Sequence, residues 1–146
     1  MPASFQRAVL SGLTVFALTL AGAVLEAAYN DARGVSAAFN LNMLPHLNRL
    51  FRGNFDPGLF RRLAVYDGAR HEVDVFFCCR RNHTVRLEGL GFQVELRRGE
   101  RILVQISRKF EVDALRRQLE SHRFEVRRVF TDPRRWFGLL LCWAVD

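Results

Sequence analysis

The sequence predicts an α+β fold, and three observations carry that prediction. Apolar residues recur at helical spacing between residues 25 and 52, then switch to a period of two from residue 71. Short alternating runs separated by Gly and Asn turns fill the middle of the chain. The last third returns to a helix followed by two apolar strands. The expected architecture is helices, an antiparallel meander, and a β-α-β-β tail of the kind that ends an open α/β sheet.

At 146 residues, with 49% hydrophobic residues, thirteen Phe and two Trp, the chain can build one ordinary core. Disorder over most of the chain is excluded by this composition. Residues 8–25 read AVLSGLTVFALTLAGAVL and carry no charge between Arg7 and Glu26. This run is at the lower edge for a membrane span, and its basic start and Ala21-Gly22-Ala23 also fit a secretory signal. Two glycines and three hydroxyl residues make it only mildly hydrophobic, so the favoured reading is a helix or strand buried in a cytoplasmic protein. Membrane association is not expected.

Residues 25–33 have helical composition, stopped by Gly34. Residues 35–52 carry Val35, Phe39, Met43, Leu44, Leu47, Leu50 and Phe51 at helical spacing; Ser36 can cap the start and Pro45 should kink the helix or end its first half. Gly53 is a stop and Asn54-Phe55-Asp56-Pro57 a turn. Residues 57–65 are expected to form a short helix, with Asp56 as N-cap and Pro57 at its first position. Strands are expected at 71–79, 83–88, 91–96 and 101–107, joined as a meander of about four strands. Residues 111–121 form an amphipathic helix with Val112, Leu115 and Leu119 on one stripe. Strands at 124–130 and 136–145 come next, with Thr131-Asp132-Pro133 as the turn. Such a tail needs other strands to cover its faces.

The net charge is +7, and Lys109 is the only lysine. An arginine excess permits an anionic partner such as nucleic acid, but the arginines are scattered along several elements, so a solvated surface is the preferred reading and no nucleic acid is expected. Cys78 and Cys79 point to opposite faces of one strand, no CxxC occurs and the four histidines lie far apart, so no metal site is expected. His46, His71, His83 and His122 read as ordinary surface or partly buried histidines. There is no G-x-G-x-x-G, P-loop, paired carboxylates or triad spacing, and no catalytic residue is assigned.

One ordered set of motifs goes further. Residues 27–49, AAYNDARGVSAAFNLNMLPHLNR, are followed by Asn54-Phe55-Asp56-Pro57 with Phe60, by Tyr66-Asp67 and His71-Glu72, by Gln105-Ile106-Ser107-Arg108-Lys109-Phe110, and by Thr131-Asp132-Pro133 with Phe137. This series resembles the histidine-specific, S-adenosylmethionine-dependent methyltransferases, with their AYDDPxGVTAAFNLN, NFDPxxF, E-x-S-x-K-F and TDP-x-x-x-F stretches. The resemblance covers about residues 25–145, the C-terminal portion of that family, and leaves residues 1–24 as an apolar segment that does not match it.

The resemblance implies methylation of the α-amino group of histidine to hercynine, on the way to ergothioneine. It implies S-adenosylmethionine as cofactor, bound by an α/β half that this sequence does not display, so the chain is expected to be inactive alone. Tyr29 matches a tyrosine that contacts the substrate carboxylate, and Ser107 a serine that contacts the imidazole. Gln105 stands where the family has a glutamate bonded to the imidazole, and Val75 where it offers a methionine near the ring. On residue chemistry alone Tyr29 also fits a packing tyrosine and Ser107 an ordinary strand serine, while Asn40 and Asn42 fit either backbone cross-links near the pocket or purely structural roles. Three other readings remain: a subunit that completes a separate donor-binding chain through an apolar face of residues 105–145, a basic nucleic-acid module, and a membrane anchor at 8–25.

Overall fold

In the computed structural model, residues 12–18 and 22–145 are described. They divide into two compact units: residues 22–107, and residues 108–145 together with the strand at 12–18.

The larger unit opens with helix α1 (Gly22–Tyr29) and helix α2 (Val35–Leu41). Between them Gly34 adopts the left-handed conformation, with φ 70°. The expected 35–52 helix is two helices, because α3 (Met43–Phe51) restarts after Asn42. Pro45 is the cause: it has no N–H to give the Leu41 carbonyl, so a continuous helix would lose that bond. In the first turn of a new helix the missing donor costs nothing.

Residues 57–65 are not a helix. A single 3₁₀ turn at Pro57–Leu59 is capped by Asp56, whose Oδ1 accepts from the Gly58 N–H at 2.9 Å, and the chain then enters strand β2 (Phe60–Asp67). The start signal is real but serves one turn. Beyond that turn, burial of Phe60 and Ala64 on one face selects a strand, and Leu63 and Val65 on the other face obscured the period of two.

Strands β3 (Glu72–Cys79), β4 (His83–Leu87), β5 (Phe92–Leu96) and β6 (Arg101–Arg108) match the expected runs, but they do not form a simple meander. β2, β3 and β6 form one sheet in that order, and β4 and β5 form a separate antiparallel hairpin. Cys79 N–H donates to the Glu100 carbonyl at 2.8 Å and Gly99 N–H to the Cys79 carbonyl at 2.9 Å, so the end of β3 lies beside the start of β6. The core joins Phe60, Phe77 and Cys79 of the sheet to Val85 and Leu96 of the hairpin and Leu44 of α3.

β2 is an edge strand, and α1 closes its open edge with side chains. Asn30 accepts from the Ala64 N–H at 3.0 Å and donates to the Ala64 carbonyl at 2.8 Å. Glu26 accepts from the Tyr66 N–H at 2.9 Å. These bonds replace those of a missing neighbour strand and block edge-to-edge pairing. Asn48 does the same for the turn after α3, bonding both the N–H and the carbonyl of Phe55 at 2.8 and 2.7 Å. Asn54 pairs with β4, its Oδ1 accepting from the Arg86 N–H at 2.7 Å.

In the smaller unit, β1 (Gly12–Leu18), β8 (Phe137–Ala144) and β7 (Phe124–Thr131) form an antiparallel sheet in the order β1-β8-β7. The apolar N-terminal run therefore supplies a strand; its residues 8–11 and 19–21 lie outside the described residues. Among the described residues no helix is long and apolar enough to cross a membrane. The strand expected to lead the tail, β6, is bonded into the other unit's sheet, and β1 is the third strand here. Helix α4 (Val112–Ser121) packs Leu115 on Leu140 and Cys142, with Phe110, Val112, Leu119, Phe124, Val126 and Val129 around them. Asp132 closes the β7–β8 turn, accepting from the Phe137 N–H at 2.8 Å and the Arg134 N–H at 3.0 Å, and these bonds hold its carboxyl below the usual range.

Candidate functional site

Within the larger unit, a cleft of about 430 Å³ is lined by Ala28 and Tyr29 of α1, Val35, Ser36, Phe39 and Asn40 of α2, Arg62 of β2 and Gln105 of β6. That volume suits a small molecule. The wall is largely apolar, with Phe39 80% exposed and Val35 65% exposed, and the polar groups converge at its base.

Those groups form a connected chain. Asn40 Nδ2 donates to Gln105 Oε1 at 3.2 Å. Asn40 Oδ1 accepts from Arg62 Nε at 2.6 Å. Arg62 Nη1 donates to the Tyr29 carbonyl. The Tyr29 hydroxyl bonds Ser107 Oγ at 2.6 Å. Tertiary packing explains how distant residues meet: α1 is tied to the β2 edge by Asn30, the Tyr29 side chain reaches Ser107 of β6, and α2 lies over Arg62.

The start of α2 is set by Asp31. Its carboxylate accepts from the Val35 N–H at 2.8 Å and the Ser36 N–H at 3.0 Å, satisfying donors that a helix start leaves open. Hydrogen bonds from Ser36, side chain first, and from the backbone of Ser36 and Val35 hold the Asp31 carboxyl below its usual value, and the Arg62 charge acts in the same direction. Partial burial pulls the Arg62 guanidinium down, opposed by the charges of Asp31 and Tyr29. An arginine resists losing its proton, so the cleft keeps a fixed cation at its base.

Of the four residues singled out by the motifs, Tyr29 and Gln105 line the cleft. Ser107 is not in the lining but bonds the hydroxyl of Tyr29, which is. Val75 is fully buried in β3, opposite Ala64, and does not line the cleft. Arg62 was missed by sequence reasoning. It stood in an Arg61-Arg62 pair within a segment expected to be helical, and only a strand assignment would have placed the two side chains on opposite faces. Asn40 resolves to a cross-link between Gln105 and Arg62 at the cleft. The cysteines Cys78, Cys79 and Cys142 are all buried free thiols.

A profile described as "Histidine-specific methyltransferase, SAM-dependent" matches residues 7–144, beginning upstream of the motif series and including β1. The chain is 32% identical over 114 residues to a protein named histidine N-alpha-methyltransferase from Mycolicibacterium smegmatis, and to one of the same name from Mycobacterium tuberculosis at the same identity and length. In both cases the match covers 78% of this chain and 36% of the relative, so the chain spans about a third of the relatives' length.

Proposed function

The chain belongs to the histidine-specific, SAM-dependent methyltransferase family, and from that premise we propose that its cleft is the amino-acid side of such an enzyme, holding histidine for methylation of the α-amino group to hercynine. The observation that carries this reading is the joining of Tyr29, Asn40, Arg62 and Gln105 in one cleft from two separate stretches of the motif series and one residue between them. An amino acid offers a carboxylate at one end, and histidine an imidazole at the other. The Arg62 guanidinium is the cation suited to the carboxylate, since its planar fork matches two carboxylate oxygens. Gln105 can accept from or donate to an imidazole nitrogen. Because the Tyr29 and Ser107 hydroxyls bond each other, they act as one polar spot beside Gln105. Val75, fully buried opposite Ala64, acts through packing.

S-adenosylmethionine would supply the methyl group. The described residues do not fit that donor. The strand pairs β1–β8, β7–β8, β2–β3 and β4–β5 are all antiparallel, and the Gly-x-Gly at Gly89 and Gly91 sits at the β4–β5 turn and does not open a helix. The residues of this chain hold and orient the amine, and the donor is bound by structure outside those described, in the same polypeptide or in a separate chain. The open face of β8 supports a covering partner structure. Leu140 and Cys142 pack inward under α4, while Phe137, Leu141 and Trp143 on the other face are 39%, 37% and 38% exposed. A strand apolar on both faces is built to be covered on both.

Calorimetric titration of the 146-residue chain with histidine and with S-adenosylmethionine tests the proposal. The expected result is weak histidine binding, no donor binding and no methyl transfer. Donor binding by these residues alone, or robust methylation of histidine, would overturn the division of labour. Absence of histidine binding would overturn the cleft assignment.

A further inference from the structure

A second, larger cleft of the same unit, of about 690 Å³, is lined by Arg61, Cys78, Cys79, Arg80, Arg98, Gly99 and Arg101. We propose that it is a binding site for a small, multiply charged phosphate compound, of the linked-diphosphate type found in free diphosphate and in the phosphate tail of a nucleotide.

Four guanidinium groups come from four places: β2, the residue after β3, the turn before β6, and the first residue of β6. The fold brings their backbones together through the Cys79 bonds to Gly99 and Glu100. Among the residues lining the cleft there is no carboxylate. The nearby Glu100 carboxylate is engaged with the Arg97 N–H at 2.8 Å. Among the described residues, the guanidinium groups of Arg61, Arg80 and Arg98 enter no ion pair or hydrogen bond, although the Arg98 backbone N–H donates to Asn82 Oδ1 at 2.7 Å, and Arg101 stacks over Phe76 at 5.9 Å from the ring centroid. Elsewhere on β2 and in the turn that follows it the fold does pair its arginines: Arg62 is bonded to Asn40 and Tyr29, and Arg70 to Glu72 at 2.6 Å. Like charges gathered in a concavity raise its potential and attract anions.

The chemistry of the lining narrows the ligand. A guanidinium fork matches pairs of phosphate oxygens, and four forks exceed what one orthophosphate needs. The lining holds no aromatic ring for stacking a nucleic-acid base. The site is a concave cleft at one sheet end, where a nucleic-acid backbone needs an extended basic track. Arg61 faces away from its neighbour Arg62 because successive strand residues alternate, and the two clefts share no lining residue, so this site is independent of the proposed amino-acid cleft.

The test is calorimetric titration of the chain with diphosphate, with orthophosphate, with ADP, and with a short single-stranded oligonucleotide. Diphosphate is expected to bind about tenfold more tightly than orthophosphate, since it engages at least one further charged hydrogen-bond pair. ADP binding at least as tightly as diphosphate would identify a nucleotide as the source; weaker ADP binding would identify free diphosphate, and either supports the site. Arg61→Ala and Arg98→Ala should each weaken diphosphate binding by about tenfold, while Arg117→Ala on α4 should leave it unchanged. All three arginines are exposed, so the fold should survive; should one variant unfold, Arg80→Ala replaces it. Diphosphate binding no tighter than orthophosphate, equal losses in Arg117→Ala, or binding of the oligonucleotide without diphosphate would each overturn the proposal.

Discussion

Replacing Gln105 by Glu should tighten histidine binding, and the structure sets the size of the gain. Gln105 Oε1 already accepts from Asn40 Nδ2 at 3.2 Å, and Asn40 is in turn bonded to the Arg62 guanidinium at 2.6 Å. A carboxylate at 105 keeps the Asn40 bond, gains the field of a nearby cation, and meets the imidazole with a charged acceptor. Neutral hydrogen bonds contribute about 1 kcal/mol and charge-assisted ones about 2 kcal/mol, a difference of about 1 kcal/mol. Gln105 is solvent-exposed, so screening reduces that figure, and the expected gain is about two- to fivefold in affinity.

The pH dependence makes the test sharper. The imidazole of free histidine titrates near pH 6.5. Below that value it is a cation and pairs with a carboxylate; above it a neutral N–H remains to donate. The Gln105→Glu variant should therefore improve binding more at about pH 6 than at about pH 8. The assay is ligand-detected NMR titration of histidine against the wild-type chain, Gln105→Glu and Gln105→Leu at both pH values. No gain for the carboxylate variant at the lower pH, or undiminished binding by the Leu variant, would show that residue 105 does not face the imidazole.

A double-mutant cycle of Tyr29→Phe and Ser107→Ala should give a coupling of about 1 kcal/mol in thermal or urea unfolding; additive effects would mean the 2.6 Å bond is not formed in solution. Asp31→Asn should lower stability in a pH-dependent way. The folded pKa of Asp31 is lowered, so its stabilisation is present above the unfolded value of about 4 and is lost as pH falls through the folded value. Wild type and variant should thus converge in acid, and a stability difference that is constant or grows on acidification would contradict the cap. Gly53→Ala should destabilise by about 1–3 kcal/mol, because a Cβ there would sit 2.5 Å from Leu87 Cδ2 and 2.7 Å from the Asn48 Oδ1 that holds the Phe55 turn; an unchanged melting temperature would show that the clamp yields without cost.

Periodicity revealed the elements whose two faces differ. The amphipathic α4 and strands β3 to β8 lie within a residue or two of their expected bounds. It failed for β2, where Leu63 and Val65 on one face and Phe60 and Ala64 on the other blur the period, and where a real Asp-Pro start signal serves only one 3₁₀ turn. Strand partners could not be read, because pairing depends on contacts distant in sequence: that β6 joins β3, and β1 joins β8, leaves no local trace. For the site, a motif series supplied Tyr29 and Gln105. It did not supply Arg62, which lies between the motifs and takes its meaning from its strand face.

The motif series also reads differently once its polar residues are placed. Asn30 closes the β2 edge, Asp31 caps α2, Asn48 clamps Phe55, Asn54 pairs with β4, Asp56 caps the 3₁₀ turn, and Asp132 closes the β7–β8 turn. Each is a short side chain standing in for a missing backbone partner, a task for which Asn and Asp are the fitting residues. In the same stretches the polar residues that line the cleft beside Arg62 are Tyr29, Ser36, Asn40 and Gln105. Most of what makes the sequence recognisable is therefore the chemistry of holding irregular backbone in place. A binding cleft built from the end of one helix, the face of a second and two strands needs that scaffolding, since loosening any clamp shifts an element that carries a contact. Substitutions at the clamps should accordingly weaken histidine binding together with stability, whereas Gln105→Glu should change binding with little effect on stability. That split distinguishes the residues that face the ligand from those that position them.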